Sequence, residues 1–256
     1  MDQDTVANDC INDAGHTEVL LTLADVTFDA KPGDWQGFDD FLNACPVWTM
    51  DDAFVFHLAN QLLLPQRHQG SNGLCSMHAA VVLQHYLVAL HQPDVGMIDM
   101  MKMIQQCFPS CYIEDRIFRS VSGGSVAMLE EIFEPGSALH VTDTSHYEKY
   151  LKKCGPGLVC NFSIHEDFHG AYGTFSFDGT PHGAYLGEHT MVLIGARQDV
   201  ATGKRWFLLQ NWWKDMQFVE VSEDYLESCG SRTFFVTTPQ PTIPAKFLTQ
   251  NHLVAQ

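Results

Sequence analysis

The amino-acid sequence predicts an α+β fold whose first half is mainly helical and whose second half is mainly stranded. Three features of the chain predict it. Apolar residues recur at spacings of three and four in the first half, the helical period. From about residue 155 the texture changes to short β-rich runs separated by Gly, Asp and Pro. With 256 residues, 45% of them hydrophobic and 18% charged, the chain holds enough apolar material for a large core. Helices followed by strands, rather than alternating with them, fit two packed lobes.

Residues 1–50 read as an acidic N-terminal extension, and residues 51–256 as the main domain. Within the extension, Thr17 to Phe28 alternates apolar and polar residues as one strand, broken by Lys31-Pro32-Gly33. Asp51 to Leu64 is expected to be a helix with an Asp near its N-cap. After Cys75, the residues Ala79, Val82, Leu83, Tyr86, Leu87 and Leu90 predict a strong, mostly buried helix to about His91, ended by Pro93. Further helices are expected over about Ile98 to Cys107 and Val126 to Phe133, the latter preceded by Ser122-Gly123-Gly124. The helical lobe thus covers about 60–140. The β-rich lobe, about 155–238, is expected to use Gly157–Ile164, Gly173–Gly179, His189–Arg197, Lys204–Asn211 and Arg232–Thr238 as strands. Residues 239–256, opening with three prolines between 239 and 244, read as a C-terminal strap.

Charge narrows the function. A formal net charge of -17 opposes nucleic-acid binding, which needs clustered Lys and Arg to neutralise phosphates. It equally opposes docking on an anionic membrane. Residues 1–50, with nine Asp, one Glu and one Lys, carry -9 of that charge. No stretch reaches the roughly 20 apolar residues of a bilayer span, so no membrane insertion is expected. The acidic N-terminus lacks the basic and apolar regions of a signal peptide, which favours a cytoplasmic location unless an upstream piece is missing. Eight cysteines permit disulfides without demanding them, and the redox state stays open.

The segment His68 to Ala80, HQGSNGLCSMHAA, delivers Cys75 to the start of the strongest helix. At a helix N-terminus, unpaired N–H groups and the helix dipole stabilise a thiolate, the form in which cysteine attacks. Such a nucleophile needs a base from elsewhere, and His189 at the head of an apolar strand is the leading candidate. Asn211 ends the next strand and is followed by Trp212 and Trp213.

With Gln69-Gly70-Ser71-Asn72-Gly73-Leu74-Cys75, His189 before Val192-Leu193-Ile194-Gly195, and Asn211-Trp212-Trp213 in this order, the chain resembles the papain-like cysteine proteases, the papain and cathepsin family. Ser122-Gly123-Gly124 is similar to the family's substrate-binding Asn-Gly-Gly. The likeness covers about residues 60–235. It implies a helical left lobe, a β-barrel-like right lobe and an active site in the cleft between them. It further implies Cys75 as nucleophile paired with the His189 imidazolium, Asn211 holding that ring, and Trp213 shielding the bond. Gln69 and the Cys75 N–H would form the oxyanion hole. Gly73, Gly123, Gly124 and Val126 would meet the substrate, with Met128 and Phe234 beside Val126 in an apolar pocket. The implied partner is a polypeptide substrate, the implied activity endopeptidase, and no cofactor or metal is required. The oligomeric state stays open.

Departures from the family pattern bear on this. Ser76 stands where an aromatic residue follows the nucleophile, and Asn72 replaces a disulfide cysteine. The 65 residues from Gly124 to His189 leave little room for the occluding loop that makes cathepsin B-like enzymes dipeptidases. These departures keep two alternatives open: a pseudoenzyme or interaction protein on this fold, and an acyl transferase or deamidase using the same thiol. His165-Glu166-Asp167-Phe168-His169 spells a zinc-protease signature, but adjoining β-like and Gly-rich sequence denies it the long helix that chemistry needs. It is expected to be a surface turn. Asn161-Phe162-Ser163 is a glycosylation sequon, relevant only to a secreted chain.

Overall fold

A computed structural model describes residues 36–60, 75–90, 112–113, 116–117, 136–169, 171, 173–213 and 216–237. The expected strand over Thr17–Phe28, the helices over Ile98–Cys107 and Val126–Phe133, and the C-terminal strap lie outside them.

The described chain opens with α1 (Gln36–Ala44), a 3-10 turn (Pro46–Thr49), β1 (Ala53–Val55) and α2 (Phe56–Asn60). The helix expected from Asp51 therefore starts only at Phe56. Ala53, Phe54 and Val55 pair instead with Arg197, Ala196 and Gly195, because the open edge of a longer strand offers them ladder partners. The stretch 36–50 is no loose tail: Phe38, Phe41 and Trp48 are core residues.

Helix α3 (Cys75–Ala89) agrees with the sequence in start and length. Every residue from Ser76 to Ala89 is buried, including His78, Gln84 and His85. A helix apolar around most of its circumference is covered on all sides rather than laid on a surface. Two short hairpin strands follow, β2 (Tyr112–Ile113) and β3 (Arg116–Ile117).

The rest is one large sheet with helices at its side. It comprises β4 (Ala138–Val141), α4 (Tyr147–Cys154), β5 (Gly157–His165), the single turn α5 (Glu166–His169), β6 (Ser176–Phe177), β7 (Tyr185–Gln198), β8 (Arg205–Trp213), β9 (Met216–Ser222), α6 (Glu223–Ser228) and β10 (Arg232–Val236). Strand order is β4-β10-β5-β7-β8-β9-β6, with β1 on β7, and the sheet is open where a barrel-like one is expected. Among the described residues all pairings are antiparallel except the short β6–β9 pair. The sequence reading overlooks β4, β9, α4 and α6, whose short or polar stretches lack a clean period.

One sheet face packs on α1, α2 and α3 through Leu158, Val192, Ile194, Leu208, Trp212 and Phe218. The other packs on α4 and α6 through Val159, Met191, Leu193, Phe207, Leu209 and Val219. Two bulges shift this alternation by one residue. In β5, Val159 pairs with Met191 and Phe162 with His189, so Cys160 and Asn161 together face Thr190. Cys160 stays with Leu158 in the first core, and the bulge turns Phe162 to the second. Asn161 sits at φ +56°, which asparagine tolerates better than most residues. In β7, Leu193 pairs with Leu209 and Gly195 with Leu208, leaving Ile194 extra.

A buried charge cluster fastens the N-terminal stretch. The Glu220 carboxylate accepts from Trp48 Nε1–H at 2.6 Å, from Ser176 at 2.7 Å and from Arg197 at 3.0 Å. Arg197 also lies over the Trp48 and Trp206 rings, 5.4 and 5.0 Å from their centroids. Such a pair costs desolvation and holds only because further donors complete it.

Gly195 is where this stretch crosses the sheet. A Cβ there would sit 2.9 Å from the Phe54 carbonyl oxygen and 3.1 Å from both Leu208 and Trp48. Backbone cannot yield as a side chain can, so Gly195→Ala should cost about 1–3 kcal/mol of stability by overpacking. Urea denaturation measures this, and an unchanged midpoint contradicts the close crossing.

Candidate active site

Cys75, His189, Asn211 and Trp213 all lie among the described residues. Gln69, Gly73, Gly123, Gly124, Val126 and Met128 lie outside them. Phe234 is buried in β10, stacked on His140 at 4.9 Å.

Strand alternation sorts the four into groups. His189 on β7 and Asn211 and Trp213 on β8 share one sheet face, while Thr190, Gln210 and Trp212 share the face that meets α3. The His189 ring and the Asn211 side chain are each 1% exposed. Asn211 Oδ1 accepts two hydrogen bonds, from the Trp212 backbone N–H at 2.7 Å and from His189 Nε2 at 2.7 Å. The first fixes the amide, since a backbone N–H can only donate and its partner must be the oxygen. The second then fixes the imidazole: an acceptor oxygen requires Nε2–H, so the neutral ring carries its lone pair on Nδ1. That Nδ1 is buried and has no hydrogen-bond partner among the described residues. Trp213 stacks on the ring, centroids 4.9 Å apart and planes 27° apart.

The sulfur approaches from the other face. Cys75 is the first residue of α3 and half-buried, with Thr190 and Ser76 beside its thiol. Thr190 directly follows His189. Among the described residues no hydrogen bond joins the sulfur to the ring, and burial works against the expected thiolate–imidazolium pair. Desolvation pushes the Cys75 thiol up, against the lowering effect of the Thr190 and Ser76 hydrogen bonds. Desolvation also lowers His189 from 6.5 to about 4, against the raising effect of Asn211. Both groups are thereby held neutral near pH 7.

Tyr86, Gln210 and Trp212 support the site from below, Gln210 being the one not named from the sequence. Tyr86 on α3 donates to Gln210 Oε1 at 2.7 Å and pairs with His57 Nε2, linking the cysteine's helix to the residue before Asn211. Trp212 Nε1–H donates to the Thr190 carbonyl at 2.9 Å and its ring stacks on His78 at 6.0 Å. His57 on α2 and His78 and His85 on α3 are buried. A Tyr in phase with the helix core and a Gln inside an apolar strand were the available signals.

The zinc-protease look-alike is a single turn. His165 ends β5 with Nδ1 near the Gly183 carbonyl, and His169 ends α5, edge-on to Trp213. Among the described residues no three His, Cys, Asp or Glu side chains gather as a metal site. Among the same residues, Cys45, Cys75, Cys154, Cys160 and Cys229 are in no disulfide.

The fold has counterparts among solved structures. The bromelain protease of Ananas comosus, solved in complex with the inhibitor E64, matches with TM-score 0.55 at 13% identity over 74% of this chain and 100% of that one. A mite allergen structure from a comparison of Blo t 1 and Der p 1 matches with TM-score 0.51 at 13% identity, over 73% of this chain and 71% of that one. The ragweed pollen allergen Amb a 11, a cysteine protease solved in its proform, matches with TM-score 0.53 at 11% identity over 74% and 66%. No protein-family model and no curated protein sequence matches the chain. At these identities the likeness is one of fold: mixed α+β, with a helical part and a large sheet, of the papain-like kind.

Buried neutral histidines tie stability to pH. His57, lowered by desolvation to about 3, and His189, lowered to about 4, take up protons near pH 6.5 only when unfolded. Between those values the unfolded chain binds more protons, so stability is full above about pH 6.5 and falls as pH drops toward 4. Urea midpoints at pH 7, 5 and 4 should decline in that order. A midpoint flat down to pH 4 contradicts the buried neutral rings.

Proposed function

We propose that this chain is a thiol-dependent hydrolase that cleaves peptide bonds internally, with Cys75 as nucleophile and His189 as base. The observation that carries it is the lone pair left on His189 Nδ1 by the two hydrogen bonds on Asn211 Oδ1. A base held in one tautomer, shielded by Trp213 and next in sequence to the residue touching the thiol, is equipped for acyl transfer. The papain-like fold supports the same chemistry by analogy.

In the reaction, Nδ1 accepts the Cys75 S–H proton as sulfur bonds to the peptide carbonyl carbon. The resulting oxyanion is held by the Cys75 N–H and, as the family resemblance implies, the Gln69 side chain. Collapse expels the amine, which takes its proton from Nδ1–H, and leaves a thioester. Water then attacks that thioester while Nδ1 takes its proton, and the thiol and a carboxylic acid are released. Asn211 accepts from Nε2–H throughout and so stabilises the transient imidazolium. The shortness of the Gly124–His189 segment supports endopeptidase action, and the polypeptide substrate follows from the same resemblance.

E64, which the bromelain structure contains, and an end-blocked, internally quenched peptide test this directly. The expected result is a single adduct on Cys75, lost in Cys75→Ala, with peptide cleavage reduced roughly 10²–10⁴-fold in His189→Ala. Because the base works unprotonated, kcat/KM should fall on the acid side only as pH nears about 4. Labelling of Cys75 no faster than Cys45 or Cys154 contradicts an activated thiol and identifies an interaction protein on this fold. Fast labelling with acyl transfer to an added amine in place of cleavage assigns a transferase.

A further inference from the structure

The bulge in β5 does more than turn Phe162. It leaves Asn161 exposed at φ +56°, and the Asn161 side-chain amide donates to Glu188 Oε2 at 2.8 Å. Glu188 is exposed as well. Among the described residues its carboxylate has no ion pair and no second hydrogen bond. An amide donor fixes a carboxylate without cancelling its charge. Bulges recur beside active sites, where they re-aim a side chain.

Strand alternation places that charge near the cysteine. Glu188, Thr190, Val192 and Ile194 share one face of β7. Val192 and Ile194 pack in the first core with α3, and the Thr190 hydroxyl lies 3.3 Å from that of Ser76 in the first turn of α3. Farther along α3, Tyr86 bonds to Gln210, which pairs with Val192, so the helix runs from Thr190 toward Val192. Glu188 therefore lies on the same face just beyond the start of α3, the end that carries Cys75. Two residues of strand, from Thr190 to Glu188, span about 6.6 Å. An extended peptide advances about 3.3–3.6 Å per residue, so Glu188 falls within about two residues of a bond held at the sulfur.

Resting on the assignment of Cys75 and His189 as a peptidase site, we propose that Glu188 selects substrates carrying a lysine or arginine within two residues of the scissile bond. The Glu188 carboxylate pairs with that cation, and Asn161 holds the carboxylate in place. The chain's net charge of -17 acts in the same direction at longer range, drawing cationic peptides toward the groove. Glu188→Gln removes the charge alone, because its amide oxygen still accepts from Asn161.

Two measurements test this. The first reads kcat/KM on internally quenched peptides that carry Lys or Gln, in turn, at each of the two positions on either side of one cleavage site. In the wild-type chain one position should show a Lys preference of about 5-fold or more, and Glu188→Gln should remove it. Glu188→Lys should reverse it in favour of Glu at that position, and high salt should shrink the wild-type preference. The second needs no turnover. Methanethiosulfonates bearing a trimethylammonium or a sulfonate group modify Cys75: its sulfur bonds to the reagent's sulfenyl sulfur, and methanesulfinate leaves. Mass spectrometry of the Cys75 peptide should show the cationic reagent favoured in the wild type, by a ratio that falls about 3- to 30-fold in Glu188→Gln. A Lys-to-Gln ratio equal in the wild-type and Glu188→Gln chains overturns the proposal, and so does an equal reagent ratio. Cleavage that ignores Lys at all four positions defeats only the selection by Glu188. Absence of both cleavage and an E64 adduct on Cys75 defeats the peptidase assignment, and the selection with it.

Discussion

Two hydrogen bonds onto one oxygen organise the site. Asn211 Oδ1 receives the Trp212 N–H and His189 Nε2–H, each at 2.7 Å, in a place closed to water. The first bond is local and obligatory: a buried backbone N–H at the end of β8 needs a partner, and the preceding side chain supplies it. The second follows from the first, because an oxygen already committed as acceptor permits only one tautomer of the facing ring. Proton chemistry at Nδ1 is thus decided by backbone hydrogen bonding two strands wide. Deep burial strengthens both bonds and also makes a charged ring costly, which is why His189 rests neutral.

The sheet around this oxygen is shaped to bring two faces into play. Ordinary alternation along β7 points His189 to one core and Thr190 to the other, while bulges at Cys160–Asn161 and at Ile194 shift the alternation beyond them. The cysteine's helix reaches the sheet on Thr190's side. Tyr86, bonded to both Gln210 and His57, ties that helix to the strand that carries Asn211. The N-terminal stretch adds a second clamp through Glu220, Arg197 and Trp48. Helix, strands and N-terminal stretch therefore hold a fixed spacing around the site, with the glycine at 195 admitting the crossing.

Much of this was legible from residues alone. Helix α3 was readable because fifteen residues lack a breaker and start at a glycine-broken segment. The long strands β5, β7, β8 and β10 were readable from their β-branched and aromatic runs. The pairing of His189 with Asn211 was implied by the resemblance to the papain-like cysteine proteases. Other features had no local signal. Ala53–Val55 is three residues long and becomes a strand only because β7 offers an edge. The burial of Phe38 and Trp48 in a strongly acidic stretch depends on a glutamate 172 residues away from the tryptophan. The resting neutrality of cysteine and histidine depends on desolvation, which no spacing reveals. Ser76 stood out in sequence only as a departure, and its hydroxyl meets that of Thr190 across the interface at 3.3 Å.

The tautomer of His189 is the quantity on which all of this turns. Long-range ¹H–¹⁵N correlation of histidine side chains, with His189 assigned by comparison with His189→Gln, reads it at pH 7. The geometry predicts a neutral ring protonated at Nε2, with an unprotonated Nδ1 that titrates only as pH approaches about 4. A ring protonated at Nδ1, or an imidazolium already present at pH 7, contradicts it.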